Sequence, residues 1–420
     1  MKKLIALLLV VAMVLSLAAC GGEKNNTADF KAGFIFLHDE NSTYDLNFMN
    51  AAKEACEALG VEYIIKVNIP ESEACYDAAA ELVDMGCTYI FADSFGHEPY
   101  MIQAAKEFTD VQFCHATGTQ AHTADVPNYH NAFASIYEGR FLAGIAAGLK
   151  LVEMDAAGEL EAENYADTAQ TTIKMGYVGA FPYAEVKSGY TSYFLGARLA
   201  VNAFGDKDVS MDVTFTNSWY DPTAEANGAE LLINRGAALI SQHADSMGAP
   251  STCEAAGVPN VSYNGSTETA CPNTFIVSSY IDWTPYFEYM INCTIEGIRI
   301  ATDWTGTMET GSVKLTEFGA KATAQGTADL VAQAAEALKA GELHVFDSRL
   351  YTVGGVHPTS YLADVHNRNF AHDVEAMVAY SVPTGAVGVY ETIHVFAESS
   401  LRSAPYFDMD IDGINLLTAA

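Results

Sequence analysis

Positive charge is scarce in this sequence. Against 53 Asp and Glu it carries only 21 Lys and Arg, a formal net charge of −32 at pH 7. So acidic a chain repels phosphate backbones and anionic headgroups, which argues against nucleic acid as a partner and disfavours a phosphorylated ligand. Metal and disulfide patterns are missing too. The eight cysteines, at positions 20, 56, 75, 87, 114, 253, 271 and 293, form no Cys-x-x-Cys pair and none stands at zinc-ligand spacing from a histidine. Small buried thiols account for most of them, with Cys253 and Cys271 placed to bridge across one loop. Enzyme signatures are also lacking: there is no Gly-x-Gly-x-x-Gly after a strand, no phosphate-binding Gly-x-x-x-x-Gly-Lys-Ser/Thr and no Gly-x-Ser-x-Gly elbow. His243 and Asp245 are close enough to imitate an acid–base pair, but no nucleophile completes a triad. Neither catalysis nor a cofactor is expected.

Long apolar runs are absent beyond the first twenty residues. Lys2 and Lys3 precede an almost wholly apolar stretch over 4–17, and Leu17-Ala18-Ala19-Cys20 follows. This is the tripartite form of a secretory signal, and the stretch is shorter than the ~20 residues needed to span a bilayer. Its ending resembles a bacterial lipobox, which implies cleavage after residue 19 and lipidation of Cys20. Gly21-Gly22-Glu23-Lys24-Asn25-Asn26-Thr27 then reads as a flexible tether. The expectation is a chain held by lipid on the extracytoplasmic face of the cell membrane.

What the sequence has in quantity is alternation of strand and helix signals. Residues 31–37 form a short apolar run of the buried parallel type, and Phe48, Ala52, Ala55 and Leu59 recur at helical spacing before Gly60. Strands follow over 61–67, 89–92 and 111–115, with helices over 73–85 and 101–108. A long helix over 135–151 leads into an acidic stretch, 153–167, which reads as a solvated loop. The rhythm restarts with strands over 173–178, 212–215, 239–241 and 259–262. After Asn264 the chain returns, with a strand over 274–278 and a helix over 285–302. Two β-α series imply two doubly wound α/β lobes joined by a hinge. The expected division is 30–131 with 266–310 for lobe 1, 132–265 with 311–345 for lobe 2, and a C-terminal extension over 346–420.

Ligands of open α/β sheets bind beyond the carboxyl ends of the strands. The loops there carry His38 to Asp45, Ser94-Phe95, Thr117, Phe181, Trp219-Tyr220-Asp221 and Gln242-His243-Ala244-Asp245, with Asn264 and Trp283 near the return crossings. Aromatic faces can sandwich a planar ring while carboxylates and amides read its edge.

The wording of these segments resembles a family. Ile136-Tyr137-Glu138-Gly139-Arg140-Phe141-Leu142-Ala143-Gly144 is similar to a helix of the basic membrane protein family, the purine-nucleoside-type solute-binding lipoproteins of ABC transporters. Gly176-Tyr177-Val178-Gly179-Ala180-Phe181-Pro182, Trp219-Tyr220-Asp221-Pro222, Gln242-His243-Ala244-Asp245-Ser246 and Asp282-Trp283-Thr284-Pro285-Tyr286 resemble one branch of it. The resemblance implies a type I periplasmic-binding fold, a purine base or nucleoside as ligand and an ABC permease as partner. It implies Tyr44, Phe95, Phe181 and Trp219 as stacking positions. Asp221, Gln242, His243, Asp245 and Asn264 become polar contacts, and Ser94 and Trp283 line the same cleft. The first loop departs from the pattern, because Ser42 stands where that branch carries a tryptophan. A surface sensor, or a carrier of a sugar or other small neutral solute, is the alternative.

Two C-terminal features stay apart from this reading. Asp408-Met409-Asp410-Ile411-Asp412-Gly413 matches the opening of a calcium loop, but Ala419 occupies the position that needs a bidentate Glu, so an acidic turn is expected. The extension holds His357, His366, His372 and His394 at spacings that match no ligand set, and Val387-Gly388-Val389-Tyr390 suggests an added hairpin.

Overall fold

A computed structural model describes residues 30–366, 372–384 and 389–417. The expected signal, Cys20 and the tether lie outside them. Lobe 1 opens with β1 (Lys31–Ile35), α1 (Thr43–Leu59), β2 (Glu62–Lys66), α2 (Glu73–Asp84), β3 (Tyr89–Ala92), α3 (Glu98–Glu107), β4 (Gln112–Ala116) and β5 (Tyr129–Ala134). Lobe 2 continues with α4 (Ile136–Ala157), β6 (Thr172–Gly179), α5 (Ala184–Phe204), β7 (Asp208–Phe215), α6 (Pro222–Asn234), β8 (Ile240–Gln242), α7 (Gly248–Ala256), β9 (Asn260–Tyr263) and β10 (Phe275–Ile281). The chain then crosses back for α8 (Thr284–Glu296) and β11 (Asp303–Gly306), and crosses again for β12 (Val313–Leu315) and α9 (Thr327–Lys339).

The two sheets repeat one plan. Lobe 1 runs β11-β5-β4-β3-β1-β2, and lobe 2 runs β12-β10-β9-β8-β6-β7 with one more strand on its edge. Within each, the first strand lies between the second and the third, the doubly wound order whose direction reverses at that first strand. The pairings are parallel except β10 with β12. Local sequence accounts for the limits of α1: Ser42 caps it by accepting from the Asp45 N–H, and Gly60 ends it at φ 66°, where a Cβ would strain the backbone. Gly144 has a different task. A Cβ there would lie 2.0 Å from the Tyr193 carbonyl oxygen, so only glycine lets α4 and α5 cross at backbone contact.

Several sequence expectations are corrected. Strand β10 belongs to the second sheet, so the return to lobe 1 follows Ile281 and not residue 265, and β5 carries lobe 1 past residue 131 to Ala134. The helix expected over 285–302 stops at Glu296, where Gly297 takes φ 65°. Helix α4 runs on to Ala157, so Glu153 and Asp155 are helical, and the acidic loop is shorter than its charge pattern suggested. All seven described cysteines are buried and free, Cys253 and Cys271 included.

The C-terminal extension is built onto lobe 2. Phe346, Tyr351, Phe396, Tyr406, Phe407 and Met409 share one apolar core with Phe141, Phe194 and Val201. Short strands β13 (Leu362–Ala363) and β14 (Val374–Glu375) precede the expected hairpin, β15 (Met377–Pro383) with β16 (Tyr390–Phe396), while Val387 and Gly388 lie outside the described residues. Strand β17 (Ile414–Leu416) adds in parallel to the edge strand β7. The acidic turn holds no calcium geometry: Asp408 accepts from Tyr361 and His372, Asp410 pairs with Lys187, and Asp412 accepts from Thr352. Among the described residues no cluster of three metal-ligating side chains occurs, and no helix is long and apolar enough to cross a membrane.

Candidate functional site

Both sheets reverse order where their loops face each other. The loops after β1 and β3 supply Leu37, His38, Ser94 and Phe95, and the first turn of α1 supplies Tyr44 and Asp45; the segments after β6 and β8 supply Glu185, His243 and Asp245. Thr117, Trp219 and Tyr263 complete a cleft of about 360 Å³, counting its open mouth. Ligands of doubly wound sheets bind at such reversals because adjacent loops diverge there and leave a crevice.

The lobes touch across this cleft. The Thr43 N–H and hydroxyl both donate to the Asp245 carbonyl at 3.1 Å. The Phe95 and Tyr183 rings lie 5.1 Å apart and His38 sits 5.4 Å from Tyr220. This is a closed jaw.

One wall is aromatic. Phe181 stacks on Tyr183 at 5.0 Å with 11° between planes and meets Trp219 edge-on at 5.0 Å. Phe181 lies outside the cleft lining, packed against Trp219, which lines it. Tyr44 is fixed by donating to the Asp93 carbonyl at 2.8 Å.

The polar wall is a relay. Arg140, 1% exposed, lies 3.3 Å over the Tyr263 ring and donates to the Gln242 carbonyl at 2.9 Å. Its Nη2 also faces His243 Nδ1 at 3.0 Å, and His243 Nε2 faces Glu185 Oε1 at 3.0 Å. Arginine has no acceptor, so His243 Nδ1 accepts and Nε2–H donates, which fixes the tautomer. Burial holds the imidazole below its ordinary pKa against the pull of Glu185, with Arg140 pushing the same way as burial. A neutral ring therefore orients Glu185 toward the cleft. Asp245 is driven well above the usual carboxylate range by burial and by Asp45, Glu225 and Glu185, only partly offset by Arg140. Asp45 moves the other way. Burial raises it, but hydrogen bonds from His38 and Ser42 outweigh that and lower it.

The structure brings Tyr44, Ser94, Phe95, Trp219, His243 and Asp245 to the cleft, and Asn264 reaches Asp245 Oδ1 at 3.4 Å from just behind it. Three expected residues do other work. Trp283 is 1% exposed and stacks on Phe48 at 4.4 Å in the core of lobe 1. Asp221 caps α6 by accepting from the N–H groups of Thr223 and Ala224. Gln242 accepts from Asn260 within the second sheet at 3.3 Å. Ser42, in place of the family's tryptophan, serves as the α1 cap and donates to Asp45 at 2.6 Å. Sequence reading missed Glu185, Tyr263, Asp45 and Arg140 as site residues. Arg140 sat inside a quoted motif, and Glu185 lies one helical step beyond Phe181-Pro182-Tyr183, so scanning the first turn of each helix as well as its preceding loop would have found it.

Comparison with known proteins agrees with this architecture. Residues 34–325 match the family model described as ABC transporter substrate-binding protein PnrA-like. The chain is 31% identical over 333 residues to a purine-binding protein of Brucella abortus (strain 2308), covering 78% of this chain and 85% of that one. It is 31% identical over 315 residues to a Haloferax volcanii protein assigned by name to glucose binding for an ABC transporter, covering 75% and 70%. Among solved structures, an ABC transporter solute-binding protein from Aeropyrum pernix K1 superposes with a TM-score of 0.61 at 16% identity, over 78% of this chain and 94% of that one. One from Conexibacter woesei DSM 14684 gives 0.58 at 18% identity, over 75% and 98%. These last two share the two-lobed fold. The chain belongs to the Bmp family of PnrA-like ABC transporter substrate-binding proteins.

Proposed function

We propose that the cleft captures a purine base or nucleoside and presents it to an ABC permease. One observation carries this reading: flat rings enter a single cleft from both lobes, Tyr44 and Phe95 from one and Trp219 and Tyr263 from the other, beside the carboxylates of Glu185 and Asp245. A planar heterocycle offers its faces to such rings and its N–H, amine or ribose hydroxyl donors to the acids. Arg140, the cation nearest the acids, is already committed to Tyr263, Gln242 and His243, which leaves a phosphate without a counter-charge. The name of the Brucella relative supports the purine. Closure follows from the ligand's greater affinity for the closed form. We also propose that Cys20 carries a lipid that holds the protein at the extracytoplasmic membrane face; loss of radiolabelled palmitate incorporation in Cys20→Ser tests that.

A sugar is the second reading. It is favoured by the name of the Haloferax relative and by hydroxyl groups meeting the same acids. Calorimetric titration with adenine, adenosine, guanosine, inosine and glucose separates the two. Micromolar binding of a purine supports the proposal; glucose binding with all four purines silent overturns it.

A further inference from the structure

A second cavity adjoins the first. It measures about 1000 Å³ with its open side and shares Phe95, Thr117 and Glu185 with the cleft. Three parts of the chain wall it: lobe 1 through Thr119, lobe 2 through Pro182 to Lys187, and the C-terminal extension through Arg402 to Asp408. Phe95, 36% exposed, lines both spaces, and Tyr183, 40% exposed, meets it from the wall of the second at 5.1 Å. The family match ends at residue 325, so one whole wall is made by chain beyond it.

We infer that this chamber is a second compartment of the solute site, taking an uncharged or cationic substituent of the bound molecule and rejecting phosphate. The inference rests on the first cleft being the solute site. Its chemistry follows from how the lining charges are spent. Arg402 donates to the carbonyls of Ala404, Val365 and Pro405 at 2.9–3.1 Å. Lys187 is held by Asp410 at 2.7 Å and the Asp408 carbonyl at 3.0 Å. Lys187 is thus paired with a carboxylate, three of the five N–H donors of Arg402 are taken by carbonyls, and a phosphate would have to approach the acids Glu185, Asp364 and Asp408. What the chamber does offer is apolar surface from Phe95, Tyr183, Tyr406 and two prolines, together with Glu185, of which His243 engages only Oε1. A substituent leaving the first cleft past Phe95 would pack against these rings and donate to the Glu185 carboxylate. The solute is accordingly larger than a single ring system.

The test is a titration panel on the full mature protein. Adenosine reports on the first cleft; N6-benzyladenosine and 5′-deoxy-5′-methylthioadenosine carry neutral extensions; adenosine 5′-monophosphate carries a charged one. Should glucose prove the core solute, phenyl glucoside and glucose 6-phosphate take the same roles. The expected result is that at least one neutral extended compound binds within about threefold of its parent or tighter, while the phosphate compound binds about a hundredfold more weakly. Ala184→Trp, at the half-buried start of α5, and Ala404→Leu, from the opposite wall, fill the chamber. Each should weaken the extended compound about tenfold and leave the parent unchanged, with thermal melts confirming folding. The inference is overturned if the parent binds and every extended compound is lost, if the phosphate compound binds as well as its parent, or if neither variant discriminates. Silence of both adenosine and glucose instead removes the reading of the first cleft, and this inference falls with it.

Discussion

Thr43 and Asp245 join the two lobes through backbone: the N–H at the first position of α1 donates to the carbonyl that follows β8, 3.1 Å away. The Thr43 hydroxyl adds a second donor to the same oxygen. Ser42 before it is extended, at φ −82° and ψ 125°, the conformation that precedes a proline without strain. Proline is also tolerated at a helix's first position, where its missing N–H has no intrahelical partner. Thr43→Pro therefore deletes both interlobe bonds and spares the helix. Each is worth about 0.5–1.5 kcal/mol, so solute affinity should fall about tenfold while the melting temperature without ligand hardly moves. Calorimetry beside a thermal melt checks this, and an unchanged affinity would show that these bonds do not stabilise the closed form.

The two tryptophans picked out by sequence should respond in opposite ways. Trp219 lines the cleft, and stacking of a base on an aromatic ring is worth about 1–3 kcal/mol. Trp219→Ala should weaken purine binding about 10- to 100-fold with a modest loss of stability. Trp283 is packed between Phe48 and Phe91, so Trp283→Ala should cost about 3–5 kcal/mol of folding stability. Where the protein still folds, its affinity should be nearly that of the parent. Equal losses of binding in both variants would contradict the placement of Trp283 in the core.

How far the sequence could be read followed the range of each interaction. The β1–α1–β2 rhythm, the Gly60 stop and the strand-end loops were legible, because apolar periodicity and φ-positive glycine are local signals. The allocation of β10 was not, since its partner β9 is separated from it by a loop, and which sheet claims a strand depends on edge pairing that no local pattern encodes. Trp283 and Trp219 are the same residue type after strand ends; packing against Phe48, Phe91 and Phe287 holds the first of them in the core. The Arg140–His243–Glu185 relay joins three elements distant in sequence and was invisible for the same reason.

Asp221 illustrates how a polar residue at a site's rim can be purely structural. Its carboxylate accepts from two N–H groups at the start of α6 and lies beyond the cleft lining. Asp221→Ala should cost about 1 kcal/mol of stability and leave purine affinity unchanged. Asp221→Asn, which keeps an acceptor oxygen, should recover most of that loss in a thermal melt. A drop in affinity without a drop in stability would return Asp221 to the site.

Buried carboxylates give the protein an unusual dependence on pH. Burial, with Glu309 nearby, lifts Glu138 to about 7 from an ordinary 4.5, and burial lifts Glu225 to about 7 against the bonds from Ser246. In the window between those values the folded chain keeps protons that the unfolded chain has released, so stability falls as pH rises from 4.5 to 7. Asp93 and Asp245, raised well above the usual carboxylate range chiefly by burial, act with the same sign. Asp45, lowered, acts oppositely: its contribution is present at neutral pH and is lost only when pH falls through its depressed value. The unliganded protein should melt at a higher temperature at pH 5.5 than at pH 8, and the double variant Glu138→Gln, Glu225→Gln should flatten that difference. Solute affinity should move the other way. A ligand presenting N–H or hydroxyl donors needs Asp245 as a carboxylate, and the proton it displaces makes binding tighten as pH rises. In Asp245→Asn that rise should vanish, whereas a slope that survives the substitution would place the titrating acceptor elsewhere in the cleft.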